Sequence, residues 1–327
     1  MINRRTLAAL PLAAMLAALA GPTPAQSSYP NKPIRIIVPY PAGGGTDIVT
    51  RAVFQKVGEA MGQPIVIENK AGAGTAIGLG EVARAAPDGY TIGVGGTSDP
   101  LLPLLYDNLS FNPNTDLVVV STLASVPLAL VAAANVPARN MAEFIALAKS
   151  NSQAPMAIAS VGVTSPHHMA AILLGSMAGV PLTLVPYRGT APAMTDLVGG
   201  HIPLGMMSLP SALPYAKNGK LKILGVGTSR RSNLAPEIPT IDESGVKGFE
   251  ASFWFHAILP KGTPKPIIDR LRAEIDKVVR NPEVRDSLGK AGYEALTLTP
   301  EESDRALKAD TERWTKVIRE NNIRGTQ

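Results

Sequence analysis

The 327-residue chain contains no cysteine, so disulfides, thiol nucleophiles and thiolate metal sites are all excluded. Histidine occurs only 4 times, and two of the four are adjacent. His167 and His168 project from a helix about 100° apart, which suits a structural or pocket-wall role rather than a metal-ligand pair. No Gly-x-Ser-x-Gly elbow and no cluster of ligating side chains is present, which removes the common signatures of a hydrolase or metalloenzyme. Aromatic residues make up 5% and charged residues 17%, and no lysine/arginine cluster is interleaved with aromatics. The net charge of +5 falls to +3 once Arg4 and Arg5 are removed, too mild a balance to argue for nucleic acid.

Those two arginines open a segment that reads as a secretory signal. Leu7 to Ala20 is apolar but short for a bilayer span, and Thr23-Pro24-Ala25 suits cleavage near Ala25. A membrane anchor is the alternative reading. Asn3 to Leu7 is compatible with either Sec or twin-arginine export. Without cysteine no lipid can be attached at the cleavage site, so the mature chain is expected to be exported and soluble.

Hydrophobic residues make up 45% of the chain, enough for a large core. Ile34–Val38 is a β-branched run bounded by prolines and reads as a strand. It enters Pro39-Tyr40-Pro41-Ala42-Gly43-Gly44-Gly45-Thr46-Asp47, and a helix over 48–61 follows. Glycines let a backbone approach a ligand, and the free amides at a helix start favour an anion. The competing reading is a tight turn in which Asp47 caps the helix. A second strand lies at 64–68. Gly72, Gly74 and Gly78 then line another loop before a helical stretch to Ala86, one residue away from the dinucleotide spacing. A third strand, Tyr90–Val94, runs into a loop that carries Ser98. Strands alternating with helices imply a parallel sheet whose loops gather at its carboxyl edge.

Residues 116–136 form a long apolar stretch broken by Pro127, with strand pieces at 118–120 and 128–131, suited to carrying the chain between lobes. A helix at 141–149 follows. Strand 156–160 then repeats the strand, small polar loop, helix order through Gly162, Thr164, Ser165 and His168, with Thr164 or Ser165 as helix cap and Pro166 in the first turn. Strand 182–187 ends in Tyr187, Arg188, Gly189 and Thr190 before a helix from Pro192. Arg188 is placed to pair with a carboxylate, or else is a solvated loop residue. Strands follow at 201–207 and 221–226. The aromatic run 249–260 suits a second crossing, and amphipathic helices at 264–280 and 300–320 read as a packing layer.

In this order, PYPAGGGTD (39–47), AAPDGYT (85–91), VPYRGTAPAMTDL (185–197), LPSALP (209–214) and PKGTP (260–264) resemble the substrate-binding proteins of tripartite tricarboxylate transporters, the Bug receptors. The resemblance spans the chain from Tyr29 to the last helix. It implies an α/β, type II periplasmic binding protein fold of the Venus-flytrap kind, with two α/β lobes joined by two crossing strands. On that reading 1–25 is a signal peptide, 29–124 with 252–327 form lobe 1, and 125–251 form lobe 2. It implies a periplasmic receptor, not an enzyme, which captures an organic carboxylate and hands it to membrane permease subunits. No cofactor, metal or nucleic acid is implied, and a monomer is expected. Carried over, the ligand-binding residues are Ala42, Gly43, Thr46 and Asp47; Ser98; Gly162, Thr164, Ser165 and His168; and Tyr187, Arg188, Gly189 and Ala191.

Three positions depart from the family pattern. Met207-Ser208 and Pro203 stand where acidic residues are frequent, and Asp99 stands where histidine is common. Loss of an acid beside the cleft removes a partner for an ammonium group and favours a plain or more apolar carboxylate over an amino acid. A sensor component presenting the same ligand uses the same fold and is the alternative function. An exported carboxylate-processing enzyme is a further alternative that lacks the catalytic signatures above.

Overall fold

A computed structural model of the chain describes residues 29–324, apart from 152, 163 and 164. The signal segment with its cleavage near Ala25 and the candidate Thr164 lie outside the described residues.

The first part of the chain folds as β1 (Ile34–Val38), α1 (Gly45–Met61), β2 (Ile65–Asn69), α2 (Ala76–Ala83), β3 (Thr91–Gly96) and the short helices α3 (Leu102–Leu105) and α4 (Pro113–Asp116). β1 lies between β2 and β3, parallel to both, with Ile34 opposite Ile65 and Arg35 opposite Thr91. Four of its five residues are buried, as a central parallel strand requires. The fifth, Arg35, is neutralised by Glu68 on β2 at 2.6 Å and by Glu81 on α2.

β4 (Leu117–Ala133) then crosses to a second set of elements: α5 (Met141–Ser150), β5 (Met156–Val161), α6 (Pro166–Ala178), β6 (Leu182–Tyr187), α7 (Thr190–Gly199), β7 (Leu204–Ser208), α8 (Leu209–Lys217) and β8 (Leu221–Val226). The chain returns through β9 (Ser252–Pro260) and ends with α9 (Lys265–Val279), α10 (Pro282–Lys290), β10 (Glu294–Ala295) and α11 (Pro300–Glu320).

The two halves share one strand order. In the first it is β2-β1-β3-β9-β4, and in the second β6-β5-β7-β4-β8. Each half builds three parallel strands and then admits one antiparallel strand, β9 in the first and the end of β4 in the second.

β4 is one 17-residue strand, where the sequence suggests two pieces broken at Pro127. Pro127 pairs with Ser252 as the last step beside β9, and from Leu128 onward β4 pairs with β7. A residue without an N–H is tolerated where a strand changes partners. Other boundaries also move. α1 begins three residues earlier than expected, because Gly44, not Asp47, is its N-cap. β7 begins at Leu204, after the donor-less Pro203. α2 stops at Ala83, short of Ala86 and Pro87. α10 was not anticipated.

The first core gathers Val53 and Phe54 of α1, Phe253 and Phe255 of β9, and Leu271 and Ile275 of α9. The second gathers Leu130, Phe144, Met169 and Leu174. Trp314, Val317 and Ile318 of the last helix belong to that second core, although the helix starts beside the first half, where Ser303 meets Thr122. The last helix therefore packs on both halves.

Candidate functional site

The pairing of β4 decides how the two halves face each other. In the first half it runs parallel to β1 and β3 and leaves at their carboxyl edge, where Gly96 ends β3 opposite Phe255, itself opposite Ala124. In the second half it is antiparallel to β7 and enters at that sheet's carboxyl edge, where Leu128 lies opposite Ser208. Ala124 to Leu128 is four residues, so the two edges face each other across about 13 Å of extended strand. The loops after β1, β3, β5 and β6 open into this space.

The loop after β1 supplies the first wall. Ala42 and Gly43 are exposed, and Gly43 adopts φ 77°, a left-handed turn with open space where a side chain would point. Gly44 N–H turns back to Pro41 O at 3.3 Å, and the first helical bond is Ile48 N–H to Gly44 O at 3.0 Å. The amides of Gly45, Thr46 and Asp47 precede that first bond and have no carbonyl below them in the helix. Thr46 and Asp47 are buried.

Asp47 points inward. Its carboxylate accepts from Gly43 N–H at 2.9 Å, Arg51 Nε at 3.0 Å and Asn69 Nδ2 at 3.1 Å. Asn69 Nδ2 also donates to Tyr40 O at 3.1 Å, tying the end of β2 to the same loop. Burial pushes the Asp47 carboxyl up, but the bonds from Arg51, Gly43 and Asn69 outweigh it and hold the group below its ordinary value. Asp47 thus fixes the loop and leaves the amides outward. Arg51 and Asn69 are its essential supports and were not singled out from the sequence. Arg51 was legible as an i,i+4 partner on one helix face, whereas Asn69 depends on strand pairing.

Ser98, just past the end of β3, is buried beside the Tyr40 side chain. Burial, with Asp99 nearby, drives the Tyr40 phenol well above its ordinary value, so it is un-ionised.

On the opposite wall, Gly162 adopts φ 76° with open space around it. Its N–H donates to Tyr187 O at 3.0 Å, and its carbonyl accepts from the Ser165 hydroxyl at 3.0 Å. Ser165 is the N-cap of α6, accepting from His168 N–H at 3.2 Å, with Pro166 in the first turn. His168 is buried, with Nδ1 at 2.9 Å from the Ser160 hydroxyl, and burial lowers its pKa. His168 therefore belongs to the wall of the site, while its neighbour His167 is pushed down to about 4 by burial. Ser165→Ala should remove the cap and cost about 1 kcal/mol. A midpoint in urea equal to wild type would refute that role.

Tyr187 does not present a free hydroxyl. It donates to Asp196 at 2.7 Å, and burial first, then Asp196, raises its pKa to about 12. Gly189 (φ 127°) is the N-cap of α7. Arg188 and Ala191 are exposed at that helix start, and Arg188 has no ion-pair partner among the described residues. Three helix N-termini, those of α1, α6 and α7, thus begin at the edges of the shared space. The acids near them, Asp47, Asp99 and Asp196, are each bonded within the protein, the last to the Tyr187 hydroxyl. Positive helix ends, and an arginine without an ion pair among the described residues, are features that favour an anion.

The family model of the tripartite tricarboxylate transporter family receptor (TctC) matches residues 49–323. The chain belongs to this receptor family. Its members are solute-binding receptors, and the chain is a receptor rather than an enzyme. It is 32% identical over 322 residues to protein BugT of Bordetella pertussis strain Tohama I, covering 98% of each chain. Two solved structures are also similar. MatC of Rhodopseudomonas palustris with bound malate is 31% identical, with 89% of this chain and 100% of that chain covered and a TM-score of 0.76. Rpa4515 of R. palustris with adipate is 30% identical, with 90% and 99% covered and a TM-score of 0.80. The two halves are accordingly the two lobes of a periplasmic binding protein fold.

Proposed function

We propose that this receptor captures an organic dicarboxylate between its lobes and delivers it to the permease subunits of a tripartite transporter. The carrying observation is the arrangement of three helix N-termini and Arg188 on two facing walls, with the nearby acids Asp47, Asp99 and Asp196 each bonded within the protein. One carboxylate would meet the amides of Ala42 and of Gly45 to Asp47, with Ser98 behind them. The other would meet Gly162, Thr164, Ser165 and His168 together with Arg188, Gly189 and Ala191. Malate and adipate, each bound by a structurally similar protein, carry two carboxylates. Met207-Ser208 and Pro203 supply no acid for an ammonium group, so a dicarboxylate is favoured over an amino acid.

Closure would move lobe 1 (29–124 with 252–327) against lobe 2 (125–251), with the last helix touching both. Ligand binding shifts such an equilibrium only as far as its affinities for the two states differ. Export to the periplasm as a monomer, after cleavage near Ala25, completes the reading.

The mature protein should be screened by thermal unfolding against malate, adipate, acetate, glutamate and citrate. A ligand present at 100 times its Kd stabilises the folded state by about 2.7 kcal/mol. Dicarboxylates should raise the midpoint by several degrees. A rise with glutamate alone would sink the assignment to a dicarboxylate that lacks an ammonium group.

A further inference from the structure

Alternate residues of β9 face opposite sides of the sheet. Phe253 and Phe255 enter the first core, while His256 faces a separate cavity of about 330 Å³. Gly96, Asp99, Ser121, Arg272 and Ser303 also line it. Asp99 and Pro100 are the residues of the β3 loop beyond Gly96 that line it, and none of the described candidate ligand residues does.

His256 is 2% exposed, and its Nε2 has no hydrogen-bond partner among the described residues. Its Nδ1 lies 3.5 Å from the Thr122 hydroxyl, which lies 3.4 Å from that of Ser303. We assign the ring proton to Nε2, with Thr122 donating to Nδ1. Gly95 is directly opposite His256 in the β3–β9 ladder, so both residues address the same face. The Asp99 carboxyl fills the space that a side chain at Gly95 would take, and so lies on the same face of the sheet as the imidazole. Asp99 accepts from Gly96 N–H at 2.7 Å and from the Thr75 hydroxyl at 3.4 Å. Thr75 is itself held at φ 92°, a strained conformation for a β-branched residue.

A polar chain therefore runs from Ser303 through Thr122 to His256, and resumes at Asp99 and Thr75. The gap between His256 Nε2 and Asp99 is an interior break in that chain, and a buried N–H without an acceptor is costly.

We propose that this cavity is a second ligand site, taking a small monocarboxylate whose two oxygens bridge His256 Nε2 and the Asp99 carboxyl. The charged and titratable groups lining it are Asp99, His256, Arg272 and Asp304. Burial pushes Asp99 up to about 7 and His256 down to about 4. Near pH 6 the site thus offers an acid proton and an imidazole N–H. Arg272, whose Nε donates to Val120 O at 2.6 Å, adds positive charge, and the exposed Asp304 opposes it at the rim. A carboxylate accepts from both inner donors. Above pH 7 the Asp99 proton is lost and two carboxylates would repel. This site stands apart from the cleft reading.

The test is NMR of histidine-labelled mature protein titrated with sodium acetate against sodium chloride at equal ionic strength. The His256 signal is assigned by its loss in His256→Gln. His256 should shift saturably at pH 6, with affinity about tenfold weaker at pH 8, as a group titrating near 7 requires. Asp99→Asn places an amide donor at the same position and should keep the pH 6 affinity at pH 8. A response confined to His168 in the cleft, or no response beyond chloride, overturns the proposal. So does equal wild-type affinity at the two pH values, or a tenfold loss that persists in Asp99→Asn.

Discussion

Asp47→Ala should weaken dicarboxylate binding by about thirtyfold or more, equivalent to about 2 kcal/mol. The expected loss is large although Asp47 does not face the ligand. Its carboxylate gathers Gly43 N–H, Arg51 and Asn69, and through Asn69 the Tyr40 carbonyl. Alanine releases all of them, and the loop then spends binding energy on becoming ordered. Asp47→Asn keeps an acceptor for Gly43 but loses the 3.0 Å ion pair with Arg51, so an intermediate loss is expected. Calorimetric titration with adipate measures both variants, and wild-type affinity in Asp47→Ala would remove the loop from the site. Stability carries a pH signature as well. A carboxyl whose folded pKa lies below its unfolded value stabilises the protein above the unfolded value, and that contribution is lost as pH falls through the folded value. The stability gap between wild type and Asp47→Ala should therefore narrow in acid, below the ordinary carboxylate range.

The repeated strand, glycine loop and helix units were legible because each is local. Four apolar residues in Ile34–Val38, the glycines of 43–45 and the Ser165-Pro166 start of α6 follow from period, φ freedom and capping. Pro127 misled for an equally local reason. A missing donor normally breaks a ladder, but here it falls where β4 exchanges β9 for β7, a fact of tertiary pairing. α10 has little signal in the sequence because it is a short, charged helix that buries only Val284 and Leu288.

The site divides in the same way. Exposed loop residues such as Ala42, Gly43, Arg188 and Ala191 are those the family resemblance marks, and they lie at the facing edges. Tyr187 was marked too, but its hydroxyl is consumed by Asp196. The support Asn69 acts across strands, and His256 and Asp99 reach one face of the sheet from β9 and from the end of β3, on opposite sides of the second lobe's sequence. No spacing rule connects such residues until register is known.

Gly227→Ala should be among the most destabilising single-methyl additions in the chain, costing about 3 kcal/mol or more. Gly227 follows β8 where three segments converge. Its N–H donates to Leu128 O at 2.7 Å, and its carbonyl accepts from Ala251 N–H at 2.6 Å. It therefore ties the exit of β8 to the crossing of β4 and to the residue before β9. A Cβ there would lie 2.6 Å from Ala251 O and 3.3 Å from Leu128 O. Both obstacles are backbone carbonyls, one on β4 and one immediately before β9, so neither can rotate aside. Relief requires moving a crossing segment, which weakens both hydrogen bonds and disturbs the pivot for closure. Gly62 is the informative control. It adopts φ 65°, and no atom lies within 4 Å of the place a Cβ would occupy, so Gly62→Ala incurs backbone strain alone, about 1–2 kcal/mol. Urea unfolding of the two variants separates steric exclusion at the crossing from left-handed strain. A Gly227→Ala protein no less stable than Gly62→Ala would show that the crossing strands yield easily, and the tight backbone junction would lose its role in setting how the lobes meet.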